Sequence, residues 1–150
     1  MIIAVDGSAA SGKGTLAKRL AAHFDLDHLD TGSLYRMVGL AVLEQGINHE
    51  NINEIQVVNI ASALDLSISP DQRIRNDKVA KMASIVATIP SVRACLLDLQ
   101  RNFATHHSAA GGAVLDGRDI GSVVLPDADY KFFVDADIND IEAGAFHHHA

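Results

Sequence analysis

Residues 5–15 read Val-Asp-Gly-Ser-Ala-Ala-Ser-Gly-Lys-Gly-Thr, a glycine-rich turn ending in a lysine. Across Gly7, Ser8, Ala9, Ala10, Ser11, Gly12, Lys13, Gly14 and Thr15, backbone N–H groups can turn inward on an anion, and Lys13 adds a mobile positive charge. The turn follows an apolar run from Met1 to Val5 and opens helical spacing at Leu16, Leu20 and Phe24. A helix N-terminus there adds the positive end of its dipole. Such a strand, loop, lysine and helix hold nucleotide phosphates; an ordinary loop is the plain alternative. Two further stretches carry polar groups. Residues 29–36, Leu-Asp-Thr-Gly-Ser-Leu-Tyr-Arg, place Asp30 and Thr31 before Arg36, whose planar fork suits a phosphate. A helix N-cap at Thr31 or Ser33 followed by an exposed arginine accounts for that stretch equally well. Residues 113–121 put Asp116, Arg118 and Asp119 just after an apolar run, where a salt-bridged turn is the alternative.

The elements that must position these groups follow from spacing. The first helix is expected to run to about His23, and a short strand over 27–29 to end at Asp30. A long helix carries Leu34, Val38, Ala41 and Val42, with Gly46 as a C-cap. Asn51 or Asn53 caps a helix to about Ala63, residues 64–69 look β-like, and Pro70-Asp71 ends them. Asp77 starts a helix through Val79, Met82, Val86 and Ile89, and Pro90 precedes another from Val92 to about His106. Residues 113–116 and 130–134 read as two buried strands. Helices alternating with short apolar strands imply an α/β fold with a parallel sheet. Ligands bind beyond the carboxyl ends of such strands, so the three polar stretches, each following a strand, are expected to share one edge.

Composition narrows the partners. The chain has 150 residues, 48% hydrophobic and 21% charged, with a net charge of −7. That length suits one domain with a real core, and the negative balance argues against nucleic acid or an anionic membrane surface. No apolar run has the length of a membrane span, and Met1 leads almost at once into the first strand. A cytoplasmic, monomeric protein is expected. Cys95 stands alone in an apolar helical pattern, which reads as a buried structural thiol. His147, His148 and His149 read as a non-specific polar end, because three adjacent histidines cannot share one helix face.

The phosphate loop departs from its general form at one position. Ser or Thr usually follows the lysine and meets Mg²⁺, whereas here Gly14 does so and Thr15 comes one later. This Lys-Gly-Thr variant resembles the nucleoside monophosphate kinases. Together with residues 29–36 and 116–128, it resembles the bacterial cytidylate kinase family, which phosphorylates CMP and dCMP. Ile74-Arg75, Ala83-Ser84, Val92-Arg93 and Gln100-Arg101 are similar to that family's central region, so the resemblance covers roughly residues 1–137. It implies a three-layer P-loop kinase fold, a parallel sheet flanked by helices, with ATP and Mg²⁺ as cofactors. One P-loop kinase domain is implied over 1–150, with a core over 1–63 and 107–137 and a monophosphate-binding insert over 64–106. Lys13, Arg36 and Arg118 would serve catalysis, the loop from Gly7 to Thr15 would bind ATP, and Arg36 and Arg118 would hold the acceptor phosphate. Asp30 and Thr31 would wall that site, while Ser84, Arg93 and Asp119 would read cytosine. On the residues alone, Ser84 and Arg93 read as helix-surface groups.

The resemblance also implies a continuation into an arginine-rich lid and a last strand and helix. After Lys131 the sequence contains no Lys or Arg. A lid arginine in such enzymes contributes roughly 10³ to 10⁵ in rate, so weak or absent turnover by this chain is expected. An exposed edge on the strand over 130–134, open to another chain, is expected too. A binding remnant that grips ATP or CMP without transfer, or another small-acceptor P-loop kinase, are the competing functions.

Overall fold

The computed structural model describes residues 1–8, 10–66, 70–108, 111–135 and 146–149. Two compact units are distinguished, Met1–Thr31 with Gln100–Ala150, and Gly32–Leu99.

The first unit carries the sheet. Its strands are β1 (Ile2–Gly7), β2 (Asp27–Asp30), β3 (Ala113–Gly117), β4 (Tyr130–Val134) and β5 (Phe146–His149), in the order β2-β3-β1-β4-β5. β1 pairs in parallel with β3 and β4, and β2 with β3, so four strands run the same way; β5 runs antiparallel to β4. Ile3, Ala4 and Val5 of the apolar run that opens the chain are buried in β1, which lies between two neighbouring strands. Helix α1 (Lys13–Phe24) covers one face, and Ala17 and Ala21 pack with Ile3, Val5, Val114 and Val134. Small residues on α1 let the helix approach the sheet closely.

Two expectations about the end of the sheet are corrected. β4 is not uniformly buried: Tyr130 and Phe133 are 46% and 41% exposed, and only Val134 is fully enclosed. Nor is its outer edge left open. β5 pairs along it, with Lys131 opposite His149 and Val134 opposite Phe146. The stretch read as a polar end thus forms a strand, because backbone N–H and C=O groups on a sheet edge need partners whatever the side chains are.

The second unit is helical. It contains α2 (Gly32–Glu44), α3 (Glu54–Ser62), a 3₁₀ turn (Gln72–Arg75) and α4 (Asp77–Val86), and the division between the units falls within α5 (Pro90–Ser108). Leu34, Val38 and Val42 of α2 and Val79, Met82 and Val86 of α4 are buried, each such side chain contributing about 1.5–3 kcal/mol. A Cβ at Gly39 would come within 3.0 Å of the Ala83 nitrogen and the Val79 carbonyl oxygen, so α2 and α4 touch backbone to backbone there. Asn53 caps α3 by accepting from the Gln56 N–H at 3.1 Å, and Asn76 caps α4 through the Lys78 N–H at 2.8 Å. Gly46 follows α2 at φ 74, the left-handed conformation that ends many helices.

Other boundaries move. α4 stops at Val86 rather than near Ile89, and α5 already begins at Pro90. The β-like reading of 64–69 is not met at residues 64–66, which lie in a turn and coil, and residues 67–69 fall outside the described ones. Cys95 is half-buried rather than buried; burial and the nearby Asp98 charge both push its thiol pKa up.

Candidate nucleotide site

The glycine-rich turn joins β1 to α1 as its sequence requires. Gly12 takes φ 87 and ψ 11, a left-handed conformation favoured by glycine, directly before α1. Among the described residues no side chain caps α1, whose N-cap position is Gly12, so its first N–H groups lack a side-chain partner there. Within the loop, the Ser11 N–H and hydroxyl both donate to the Ser8 carbonyl, at 3.2 and 2.7 Å. Lys13 is half-buried and its Nζ lies 3.5 Å from the same oxygen. A Cβ at Gly7 would sit 2.6 Å from Ser11 Oγ and 2.7 Å from the Val134 carbonyl oxygen, so the loop packs where only glycine fits. Gly14 has open space around it, and Thr15 is exposed in the first turn. Ala9 lies outside the described residues. The turn, the uncapped helix and the lysine fit the phosphates of ATP. No cluster of three metal-ligating side chains occurs among the described residues.

Beside this loop, the carboxyl ends of β2, β3 and β1 align. Asp30 is opposite Asp116, Val5 is opposite Asp116, and Asp6 is opposite Gly117. The three polar stretches therefore do share one sheet edge. Thr31 follows β2 with its N–H and hydroxyl both donating to the Asp116 carbonyl, at 3.0 and 2.8 Å. A Cβ at Gly117 would overlap that hydroxyl, so Thr31 and the exit of β3 fit tightly. The Asp116 carboxylate is buried and hydrogen-bonds His28 Nε2. Arg118 and Asp119 follow, both exposed, and Asp119 has φ 61. Asp30 is exposed at the end of β2.

A π-helical turn (Ile120–Val124) comes next, and its first N–H groups are held by Asp6. The Asp6 carboxylate accepts from Ile120 at 2.7 Å and from Gly121 at 2.9 Å. Asp6, Asp119, Lys131 and Phe133 line a cavity of about 270 Å³ beside this turn.

In the second unit, Arg36 is partly buried on α2 and donates to the Ile74 carbonyl at 3.1 Å. That carbonyl belongs to the 3₁₀ turn, which Arg73 ties to Asp71 at 2.9 Å and to Glu44 at 2.6 Å. Ser84 is exposed, and its hydroxyl donates back to the Ala80 carbonyl at 3.2 Å. Arg93 is exposed on α5. Burial raises the Tyr35 phenol pKa, and the Arg93 charge opposes that rise, so Tyr35 and Arg93 lie near one another.

His28 and the carboxylates of Asp6 and Asp116 were not assigned roles by sequence reasoning. A signal for the carboxylates was present: Asp6-Gly7 and Asp116-Gly117 each close an apolar strand. His28 carried none, since its partner lies 88 residues away.

The cytidylate kinase family model matches residues 3–142. A cytidylate kinase from Rhodopseudomonas palustris is 54% identical over 137 residues, covering 91% of this chain and 62% of the relative. One from Methylocella silvestris is 54% identical over 136 residues, with 91% and 61% covered. One from Rhodospirillum rubrum is 53% identical over 139 residues, with 92% and 64% covered. The chain thus spans a little over three-fifths of the length of these curated relatives. With a family model matched along nearly its whole length, the chain belongs to the cytidylate kinase family.

Proposed function

We propose that this chain takes part in the ATP-dependent phosphorylation of CMP and dCMP. The observation that carries the reading is the uncapped N-terminus of α1 behind the left-handed Gly12, with Lys13 folded over the loop. The α1 N-terminal N–H groups and Lys13 would hold the ATP phosphates, and Mg²⁺ bound with them would neutralise charge during transfer. Arg36 and Arg118 would grip the acceptor phosphate, whose oxygen is the nucleophile. Phosphoryl transfer asks the protein chiefly for in-line positioning and exclusion of water, so these residues bind and orient. Asp119 would accept from the cytosine amino group while Ser84 and Arg93 face its acceptor atoms, a pattern that uracil leaves unmatched. Asp30 and Thr31 would wall the same site; Thr31 does so with its hydroxyl proton already committed to Asp116.

A second reading is binding of ATP and CMP without transfer. A coupled assay with ATP and Mg²⁺ against CMP, dCMP, AMP and shikimate separates the two. CMP and dCMP turnover supports the kinase. CMP binding without turnover supports the second reading. Turnover of AMP or shikimate without CMP contradicts both.

A further inference from the structure

The turn from Gly117 to Asp119 is clamped on both sides. Before it, the Asp116 carbonyl is taken by two donors from Thr31, and the Asp116 carboxylate by His28 Nε2. After it, Asp6 holds the N–H groups of Ile120 and Gly121. Between the clamps Asp119, a non-glycine residue, keeps the left-handed conformation at φ 61. Such a conformation persists only where the surroundings over-determine it. The side chain of Asp116 is 3% exposed and that of His28 is 18% exposed, so the pair is largely shut off from water. A buried carboxylate that loses its hydrogen-bond partner is left unsatisfied, at a cost its backbone can relieve by moving.

We infer that His28 is a positioning residue for the acceptor nucleotide: by holding the Asp116 carboxylate it fixes the direction in which β3 delivers Arg118 and Asp119. This rests on the reading of Arg118 and Asp119 as acceptor-binding groups. His28 touches neither nucleotide in this account. It acts through Asp116, and the phosphate loop does not depend on it.

The test uses the purified 150-residue chain with two substitutions. His28→Asn keeps an amide but is too short to reach Asp116; His28→Gln carries its amide nitrogen out to the place of Nε2. Binding of CMP and of ATP is measured by titration, and amide hydrogen exchange is followed at Arg118, Ile120 and Gly121. His28→Asn is expected to weaken CMP about five- to tenfold, the worth of one hydrogen bond, and to leave ATP within about twofold. Exchange at the three amides should quicken by a similar factor. His28→Gln should restore both. Unchanged exchange and unchanged CMP affinity in His28→Asn overturn the inference, as does an equal loss of ATP affinity, which marks general destabilisation. If the unsubstituted chain does not bind CMP, the functional reading falls, and the exchange rates alone then decide whether His28 fixes the turn.

Discussion

At the carboxyl edge of the sheet, Asp6, Thr31 and Asp116 direct their hydrogen bonds to backbone groups and to His28, whereas Ser84 and Arg93 lie on exposed faces of helices. The first set is held rigidly by groups that also hold the fold together. The second is free to meet a ligand without disturbing its own unit. Changes at the sheet edge should therefore alter stability and binding together, while changes on the helices should alter binding alone.

Lys13→Ala, on the phosphate loop, carries the largest expected effect. Losing a charge-assisted contact of about 2–3 kcal/mol should weaken ATP by one to two orders of magnitude, read by titration, with CMP affinity retained. Next comes Gly117→Ala. The added methyl meets Thr31 and Ile120, so about 1–3 kcal/mol of stability should be lost in urea denaturation, with CMP affinity falling as well. Loss of affinity at undiminished stability would show that the edge is less tightly built than described. Arg93→Ala should do the reverse, weakening CMP about tenfold while stability stays within about 0.5 kcal/mol, as for other exposed positions. The smallest effect concerns Cys95. Its raised pKa means that less thiolate is present at pH 8 than for a free thiol, so alkylation should be slower than for a small thiol and should quicken as pH rises. Alkylation as fast as the small thiol's would place the side chain in open solvent.

Local patterns carried much of this through the sequence. The Gly-rich turn, the α3 cap (at Asn53, one of the two asparagines the sequence offers with Asn51), the Gly46 C-cap and the alternation of strands and helices are set by neighbouring residues. The features that escaped depend on distant partners. His28 meets Asp116 across 88 positions and Asp6 meets Ile120 across 114, so no window of sequence holds both halves. β5 escaped for another reason: its strand state comes from pairing with β4, and its histidines do not alternate with apolar residues. The exposed half of β4 was hidden by its own apolar composition, because a strand's residue types do not say which face is covered.

Nucleotide selectivity tests the central claim most directly. In parallel titrations of the chain with CMP, dCMP, UMP and AMP, the proposed reading of cytosine by Asp119 and Arg93 predicts that CMP and dCMP bind at least about tenfold more tightly than UMP or AMP. Arg93→Ala should erase that difference. UMP or AMP binding as tightly as CMP would contradict it.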